Sequence, residues 1–127
     1  MSTSQIEGEK LVDYCIESCE NSLAIDLVVY DVRGISVMAD FYLFCTGRTF
    51  VQTRAILNNL SRSLKKDHSL LPKSTEGTAE SGWVLLDLRD VLVHIFNEDK
   101  REFYDIDELH IDTPIYYQAA VEEEPSE

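Results

Sequence analysis

The chain has 127 residues, of which 44% are hydrophobic and 28% are charged, and this composition favours one folded domain with a single core. Its 24 acidic and 11 basic residues leave a formal charge of −13, which repels phosphates and argues against direct, sequence-specific nucleic-acid binding. The acidic surplus either favours association with a basic protein partner or serves only to keep the chain soluble. No membrane-length apolar run or secretion signal is visible, so we expect a cytoplasmic protein without a membrane partner.

The first third of the chain predicts one helix and two strands. Ser4 and Glu7 have the spacing of a capping box, and apolar residues then recur three and four positions apart, which predicts a helix over about 5–22. Two short β-branched and aromatic stretches, 26–32 and 40–46, are typical of strands.

A second helix and a long connection follow. Thr49 and Gln52 form another capping-box signature before apolar residues at helical spacing, which predicts a helix over about 50–66. Residues 66–82 contain a proline, two glycines and several Ser and Thr without a sustained period. We interpret this stretch as a long loop.

The last third predicts a hairpin and a short helix. Two apolar runs, 83–88 and 91–96, flank Arg89 and Asp90 and predict two strands joined by a tight turn. The stretch 100–109 could form a short helix with Phe103, Ile106 and Leu109 facing inward.

These elements predict a single α/β domain, with a mixed sheet on which helices pack, over residues 1–118. Residues 119–127 are acidic and poor in apolar side chains, so we expect a disordered tail. Three cysteines without a framework spacing suggest reduced thiols in the core, and Cys15 and Cys19 share one helix face.

Asp87 and Asp90 are candidates for a metal site, because metal-assisted nucleotidyl transfer requires carboxylates that converge on the ion. Residues three apart on a strand point to opposite faces, and a two-residue turn places Asp90 at its tip. Cys45 lies in an apolar strand, where its thiol stays protonated and unreactive. We therefore predict no metal, no cofactor and no catalytic residues.

A docking surface is the stronger interpretation of residues 83–87. Alternation along a strand places Trp83, Leu85 and Asp87 on one face, which would join an aromatic anchor to a negative charge. A core role for the single Trp remains an equal alternative. His94 shares a face with Leu92 and Phe96, as either a hydrogen-bonded core histidine or a partner contact.

Three stretches, RGISVMADFYLFCTGRTFVQTRAI, EGTAESGWVLLDLRDVLVHIF and REFYDIDELHID, resemble the ribosomal silencing factor family, also called the Iojap-related family. The resemblance covers about residues 8–113 and keeps the family's motif order and approximate spacing. It implies a fold similar to nucleotidyltransferases without their activity. It also implies binding to the large ribosomal subunit through ribosomal protein number fourteen, which blocks association with the small subunit and represses translation under nutrient limitation.

The resemblance marks seven partner-binding candidates by position: Glu76, Trp83, Asp87, Asp90 and His94, with Tyr42 and Arg101 behind them. The chain departs from the family at Arg89, where a Gly often precedes the Asp, at His110, where a Trp is usual, and at Asp107, which replaces a Glu. A homodimer is compatible with the family.

Two other functions remain open. A large-subunit assembly factor would bind the same subunit during maturation and leave before translation. A nucleotidyltransferase is disfavoured, because such a site needs a Ser after the Gly of the turn, whereas Arg48 follows Gly47.

Overall fold

We describe a computed structural model of the chain, which covers residues 6–104 and 112–119, with side chains of the third helix described up to Arg101. The elements in chain order are α1 (Gly8–Asn21), β1 (Ile25–Asp31), β2 (Phe41–Gly47), α2 (Phe50–His68), β3 (Ser74–Thr78), β4 (Trp83–Asp87), β5 (Val91–Asn97), α3 (Glu98–Tyr104) and β6 (Ile115–Gln118). None of these helices is long and apolar enough to cross a membrane.

The six strands form one mixed sheet in the order β3-β4-β5-β2-β1-β6. Strands β2 and β5 are parallel, and the other neighbours are antiparallel. A parallel pair requires a crossover connection, and α2 lies in the segment that supplies it. The single α/β domain with a mixed sheet and packed helices is therefore confirmed.

The main core lies between the sheet and the helices α1 and α2. It buries apolar side chains of both helices and of the central strands, including Leu11, Val12, Leu27, Val29, Phe41, Leu43, Ile56, Leu60, Leu64, Val84, Leu86, Val93 and Ile95. Cys15, Cys19 and Cys45 belong to this core as free thiols. The prediction that the cysteines lie in the core is confirmed. Burial raises the pKa of Cys15 far above its ordinary value, which disfavours the reactive thiolate there.

Helix α1 begins differently from its prediction. Glu7 is the N-cap residue, with extended backbone and no capping hydrogen bond from its side chain, so it cannot be the third residue of a capping box begun by Ser4. The carboxylate of Asp90 instead accepts a hydrogen bond from the Gly8 N–H at 3.0 Å. The capping-box prediction was wrong because the helix begins only after Glu7, and a distant carboxylate binds its first N–H group.

Helix α2 confirms the first half of its predicted capping box. The Gln52 N–H donates to Thr49 Oγ1 at 3.0 Å, so Thr49 caps the helix. The Gln52 side chain does not return to Thr49; its amide donates to the carbonyl of Ser22, just after α1. The helix extends to His68, two residues beyond the predicted end.

Two strands were missed in the sequence. Strand β3 lies inside residues 66–82, so the prediction of a long loop there was wrong. The strand was missed because all five of its residues are exposed and show no alternation of apolar and polar side chains. Gly77 adopts φ +79° there, and a Cβ atom at this position would lie 2.1 Å from the carbonyl oxygen of Trp83. Strand β6 pairs with β1 at the other edge of the sheet.

Two tyrosines attach β6 to α1. The Tyr116 hydroxyl donates to the Asp13 carboxylate at 2.8 Å, and the Tyr117 hydroxyl donates to the Glu20 carboxylate at 2.6 Å. Burial, supported by the bond to Asp13, raises the pKa of Tyr116 to about 12, so this phenol remains a hydrogen-bond donor at neutral pH.

The short helix predicted over 100–109 begins two residues earlier, at Glu98. Ile106, Leu109 and the Phe103 side chain lie outside the described residues, as do the acidic residues 120–127. Ala119, which was assigned to the tail, donates its N–H to the Leu27 carbonyl at 3.0 Å and continues the pairing of β6 with β1. The backbone pairing of this sheet edge therefore includes Ala119.

The β4–β5 hairpin turns at Arg89 and Asp90, as predicted. The Leu88 N–H donates to the Val91 carbonyl at 2.9 Å, and the Asp90 N–H donates to the Leu88 carbonyl at 3.1 Å. Arg89 lies between them with φ +76°, in the left-handed region that a side chain disfavours. This geometry explains why a glycine suits the position.

We expect Arg89→Gly to raise the free energy of unfolding by about 0.5–1 kcal/mol, because relief of the left-handed strain exceeds the added entropy of the unfolded chain. Arg62→Gly is the matched control: it removes the same charge from an exposed helical position and should lower stability by about 1 kcal/mol. Urea denaturation of both variants measures the difference. Destabilisation by Arg89→Gly would contradict the strain argument.

Candidate partner-binding surface

The sheet carries a second cluster of side chains on the face opposite α1 and α2. We call this surface the aromatic face and define it by six rings: Tyr30, Tyr42, Phe44, Trp83, His94 and Phe96. The strand register aligns these side chains in rows, because directly paired residues of neighbouring strands project to the same side. Phe96 lies between Trp83 and Thr46, and His94 lies between Leu85 and Phe44.

The rings stack on one another at the centre of this face. The ring planes of Trp83 and His94 are inclined by 4°, with centroids 6.0 Å apart, and those of His94 and Phe44 by 23°, with centroids 4.7 Å apart. The indole Nε1–H of Trp83 donates to His94 Nδ1 at 3.2 Å. His94 must therefore be neutral in this conformation, with its Nδ1 lone pair available as the acceptor.

Exposure decides between the two roles considered for Trp83. Its side chain is 37% exposed, whereas Phe44 and Phe96 on the same face are 3% and 2% exposed. Trp83 is therefore not an ordinary core residue. Its ring packs against the buried Phe96 while part of the indole stays in contact with solvent. This arrangement is typical of an interface anchor.

Acidic side chains lie on the same face as the indole, farther along β3 and β4. The prediction that Trp83, Leu85 and Asp87 share one face is confirmed, since Val84 and Leu86 between them are buried in the main core. Glu76 of β3 pairs with Leu85 and is exposed. Glu76, Trp83 and Asp87 thus combine an apolar anchor with two carboxylates on neighbouring strands.

Tyr42 and Arg101 border the same surface. Tyr42 pairs with Leu92 in the parallel ladder, and its hydroxyl donates to Ser36 Oγ at 2.9 Å. The Arg101 guanidinium donates from Nη1 to Thr46 Oγ1 at 3.2 Å, and Thr46 continues the row of Tyr42 and Phe44. Both candidates therefore lie at the margins of the aromatic face.

Asp90 lies apart from the other six candidates. Its carboxylate accepts the Gly8 N–H, and its carbonyl accepts the N–H groups of Asp40 at 2.8 Å and Phe41 at 3.0 Å. These contacts join the hairpin tip to α1 and to the start of β2. Asp90 thus has a structural position rather than a place on the aromatic face.

The carboxylates of Asp87 and Asp90 do not converge. Asp87 Oδ1 accepts the Arg89 N–H at 2.8 Å, so each carboxylate serves a different backbone donor. Within residues 6–104 and 112–119, no three His, Cys, Asp or Glu side chains are grouped in a way that could hold a metal ion.

Phe44 and Tyr30 were not among the sequence candidates, although their rings help to build the surface. Tyr30 and Phe44 meet edge to face, with centroids 5.8 Å apart. The signal that could have found Phe44 is its alternation with Tyr42, two positions earlier on the same strand. Tyr30 could be assigned only from the pairing of β1 with β2, which a single sequence does not reveal.

The contact between Trp83 and His94 predicts a pH-dependent fluorescence signal from the single tryptophan. Protonation of His94 removes the acceptor lone pair and breaks the bond to the indole. Emission should change when acid protonates His94, and the change should disappear in His94→Asn.

His68→Asn is the control for this titration, because His68 packs against Tyr14 on the helical side and should leave the signal intact. A pH dependence that persists in His94→Asn would contradict the assigned contact.

The fold and this surface define a small α/β protein whose sheet presents aromatic and acidic side chains suited to binding another protein. The family model described as ribosomal silencing factor during starvation matches residues 5–127. The chain belongs to this family, as its motifs indicated.

Named relatives agree with this assignment. The ribosomal silencing factor RsfS of Bacillus subtilis is 36% identical over 98 residues, which cover 77% of this chain and 82% of the relative. The factor of the same name from Halalkalibacterium halodurans is 32% identical over 109 residues, or 86% and 92% of the two chains. The chloroplast protein Iojap of Zea mays is 32% identical over 87 residues, or 68% of this chain and 37% of that protein.

Two crystal structures share the fold. A protein from Bacillus halodurans superposes with a TM-score of 0.74 at 30% identity, covering 87% of this chain and 99% of the other. A protein from Chromobacterium violaceum superposes with a TM-score of 0.75 at 26% identity, covering 82% and 86%.

Proposed function

We propose that this protein is a cytoplasmic, non-enzymatic ribosomal silencing factor that binds the large ribosomal subunit through ribosomal protein number fourteen. Bound there, it blocks association with the small subunit and represses translation under nutrient limitation. Family membership supports the ribosomal role. The partner-binding step is supported by the aromatic face, and this surface carries the proposal.

The indole of Trp83 is prepared for binding before the partner arrives. Its Nε1–H is held by His94, and its ring stacks on neighbouring aromatic groups. A side chain that is already ordered loses little conformational entropy on binding, so more of the contact free energy appears as affinity. Large, rigid aromatic side chains are typical of the residues that dominate interface energetics.

The charge beside the indole supports a basic partner. Glu76 and Asp87 share the face of the sheet that carries Trp83. Ribosomal proteins are typically basic because they bind RNA. Opposite charges at the rim of an interface accelerate encounter and disfavour wrong orientations. The aromatic anchor and the acidic rim therefore favour the same kind of partner.

Steric exclusion accounts for the inhibition without a chemical step. The domain has an accessible surface of 8086 Å², whereas a standard interface covers about 800 Å² on each partner. Roughly a tenth of the protein surface is therefore enough for stable binding. The rest of the domain would project from the surface of the large subunit. A small subunit that needs the same area of the large subunit could then not bind there.

The turn between β2 and α2 favours this function over nucleotidyl transfer. A Cβ atom at Gly47 would lie 2.3 Å from Thr53 Oγ1 and 2.7 Å from the Thr53 nitrogen. The glycine therefore allows close packing of the strand end against the helix, a structural reason for its presence. The next residue is the exposed Arg48, where a Ser would be needed for phosphate binding.

We expect Trp83→Ala to weaken binding to purified large subunits by about 2 kcal/mol or more, because the variant loses the interface anchor. Cosedimentation measures the affinity, and the fraction of joined ribosomes measures the block of association. Mature subunits should suffice for both effects, whereas an assembly factor would bind only immature particles.

Asp87→Lys should weaken binding further, most strongly at low salt, because it places a positive charge against a basic surface. Glu17→Lys makes the same charge change on an exposed position of α1, away from the aromatic face, and should leave affinity near wild type. Melting temperatures check that each variant folds. Wild-type affinity in a folded Trp83→Ala, Asp87→Lys double variant would refute this docking face.

A further inference from the structure

Basic residues are concentrated in one segment of this acidic chain. Residues 48–73 contain six of the 11 basic side chains and one of the 24 acidic ones. This segment, which comprises α2 and its immediate flanks, therefore has a formal charge of +5, while the other 101 residues have −18. The net charge conceals two regions of opposite sign.

These cations project from the outer side of α2. Ile56, Leu60 and Leu64 face the main core, and at 100° per residue Arg62 and Lys65 lie on the opposite side of the helix. Their side chains are exposed. We define the outer face of α2 as Arg54, Arg62, Lys65 and Lys66, all of which are exposed.

Intramolecular pairing does not account for most of these charges. Arg54 forms an ion pair with Glu80 of the β3–β4 turn and lies over the Phe50 ring, 5.8 Å from its centroid. Among the described residues, Arg62, Lys65 and Lys66 have no acidic side chain within ion-pair distance. These three charges are therefore exposed to solvent on one side of the helix.

Stabilisation of the helix by its dipole also fails to explain all the basic residues in this segment. Lys65 and Lys66 lie in the last turn, where positive charge favours the helix dipole. The first turn of α2 contains no acidic residue, and Arg48, just before the N-cap, places positive charge at the end where the dipole disfavours it. A local preference broken in this way is typical of a functional surface.

We propose that the outer face of α2 binds the phosphate backbone of ribosomal RNA while the aromatic face binds the protein partner. This inference rests on the proposed ribosomal function and adds a second contact to it. Exposed Arg and Lys side chains on one helix face suit phosphate contacts, which position a protein without reading bases. Such contacts are compatible with the absence of sequence-specific nucleic-acid recognition.

One end of the outer face of α2, at Arg54, approaches the β3 edge of the sheet. The ion pair between Arg54 and Glu80 places the first half of α2 beside the β3–β4 turn. Beyond the helix, the Lys73 N–H donates to the Asp87 carbonyl at 2.8 Å, which brings the chain from α2 to the acidic rim of the aromatic face. A site where a basic protein adjoins exposed RNA would complement both surfaces at once.

Charge segregation would also orient the domain. Phosphates attract the outer face of α2 but are repelled by the rest of the chain. The same repulsion makes a reversed orientation, with the acidic helix α1 against RNA, unfavourable.

The first experiment tests RNA contact without the large subunit. We expect a short RNA duplex, added at low salt to the ¹⁵N-labelled full chain, to shift the amide resonances of Arg62, Lys65 and Lys66. The amides of Trp83 and Asp87 on the other side of the sheet should not move. Absence of shifts along α2 would overturn the inference, whether or not the proposed function is correct.

The second experiment measures how binding to purified large subunits depends on salt. Arg62→Gln with Lys65→Gln should weaken binding at low salt and lower the slope of log affinity against log salt by roughly two, about one for each lost phosphate contact. Lys10→Gln with Arg89→Gln is the matched control, because it removes two exposed cations elsewhere and should leave the slope unchanged.

The outcomes separate the two proposals. Failure of the wild-type protein to bind large subunits would refute the proposed function. The titration with the RNA duplex would still show whether the outer face of α2 binds RNA. Normal binding with an unchanged slope in the Gln variant would overturn the RNA contact alone. Hydroxyl-radical footprinting of the bound subunit tests whether the reduced slope comes from RNA. A reduced slope without protection of the RNA would mean that the outer face of α2 binds an acidic protein surface, and this result would also overturn the RNA contact.

Discussion

The parallel ladder between β2 and β5 determines both surfaces of the sheet. Seven residues of each strand pair in register, from Phe41 with Val91 to Gly47 with Asn97. Leu43 and Val93 project into the main core, whereas the adjacent Phe44 and His94 project to the aromatic face. A slip of one residue in either strand would exchange these sides, so the same ladder holds the core and the candidate binding surface in place.

Most of the central architecture could be predicted because it depends on patterns that are local in sequence. Apolar periodicity revealed both long helices, and short β-branched or aromatic runs revealed the four central strands. The edge strand β3 could not be found this way, because its five residues are exposed and its pairing uses backbone groups that every residue has. The strand β6 offered only four residues, of which two are half-buried.

The candidate site shows the same limit. Alternation predicted that Trp83 and Asp87 share a face, and the structure confirms it. The contact between Asp90 and Gly8 joins residues 82 positions apart, so no local pattern could distinguish Asp90 from a binding residue. The exposure of Trp83 also depends on neighbours from other strands, so the sequence alone could not exclude a core position for it.

A family resemblance groups residues by position and does not separate contact from packing. The Asp90 carboxylate accepts the Gly8 N–H, and loss of such an acceptor destabilises a fold without touching a binding partner. Glu76 and Trp83 are placed where they can act on another molecule. Asp90 thus joins the hairpin to α1, whereas Glu76 and Trp83 are exposed on the sheet. Binding measurements on them have meaning only when stability is measured in the same variants.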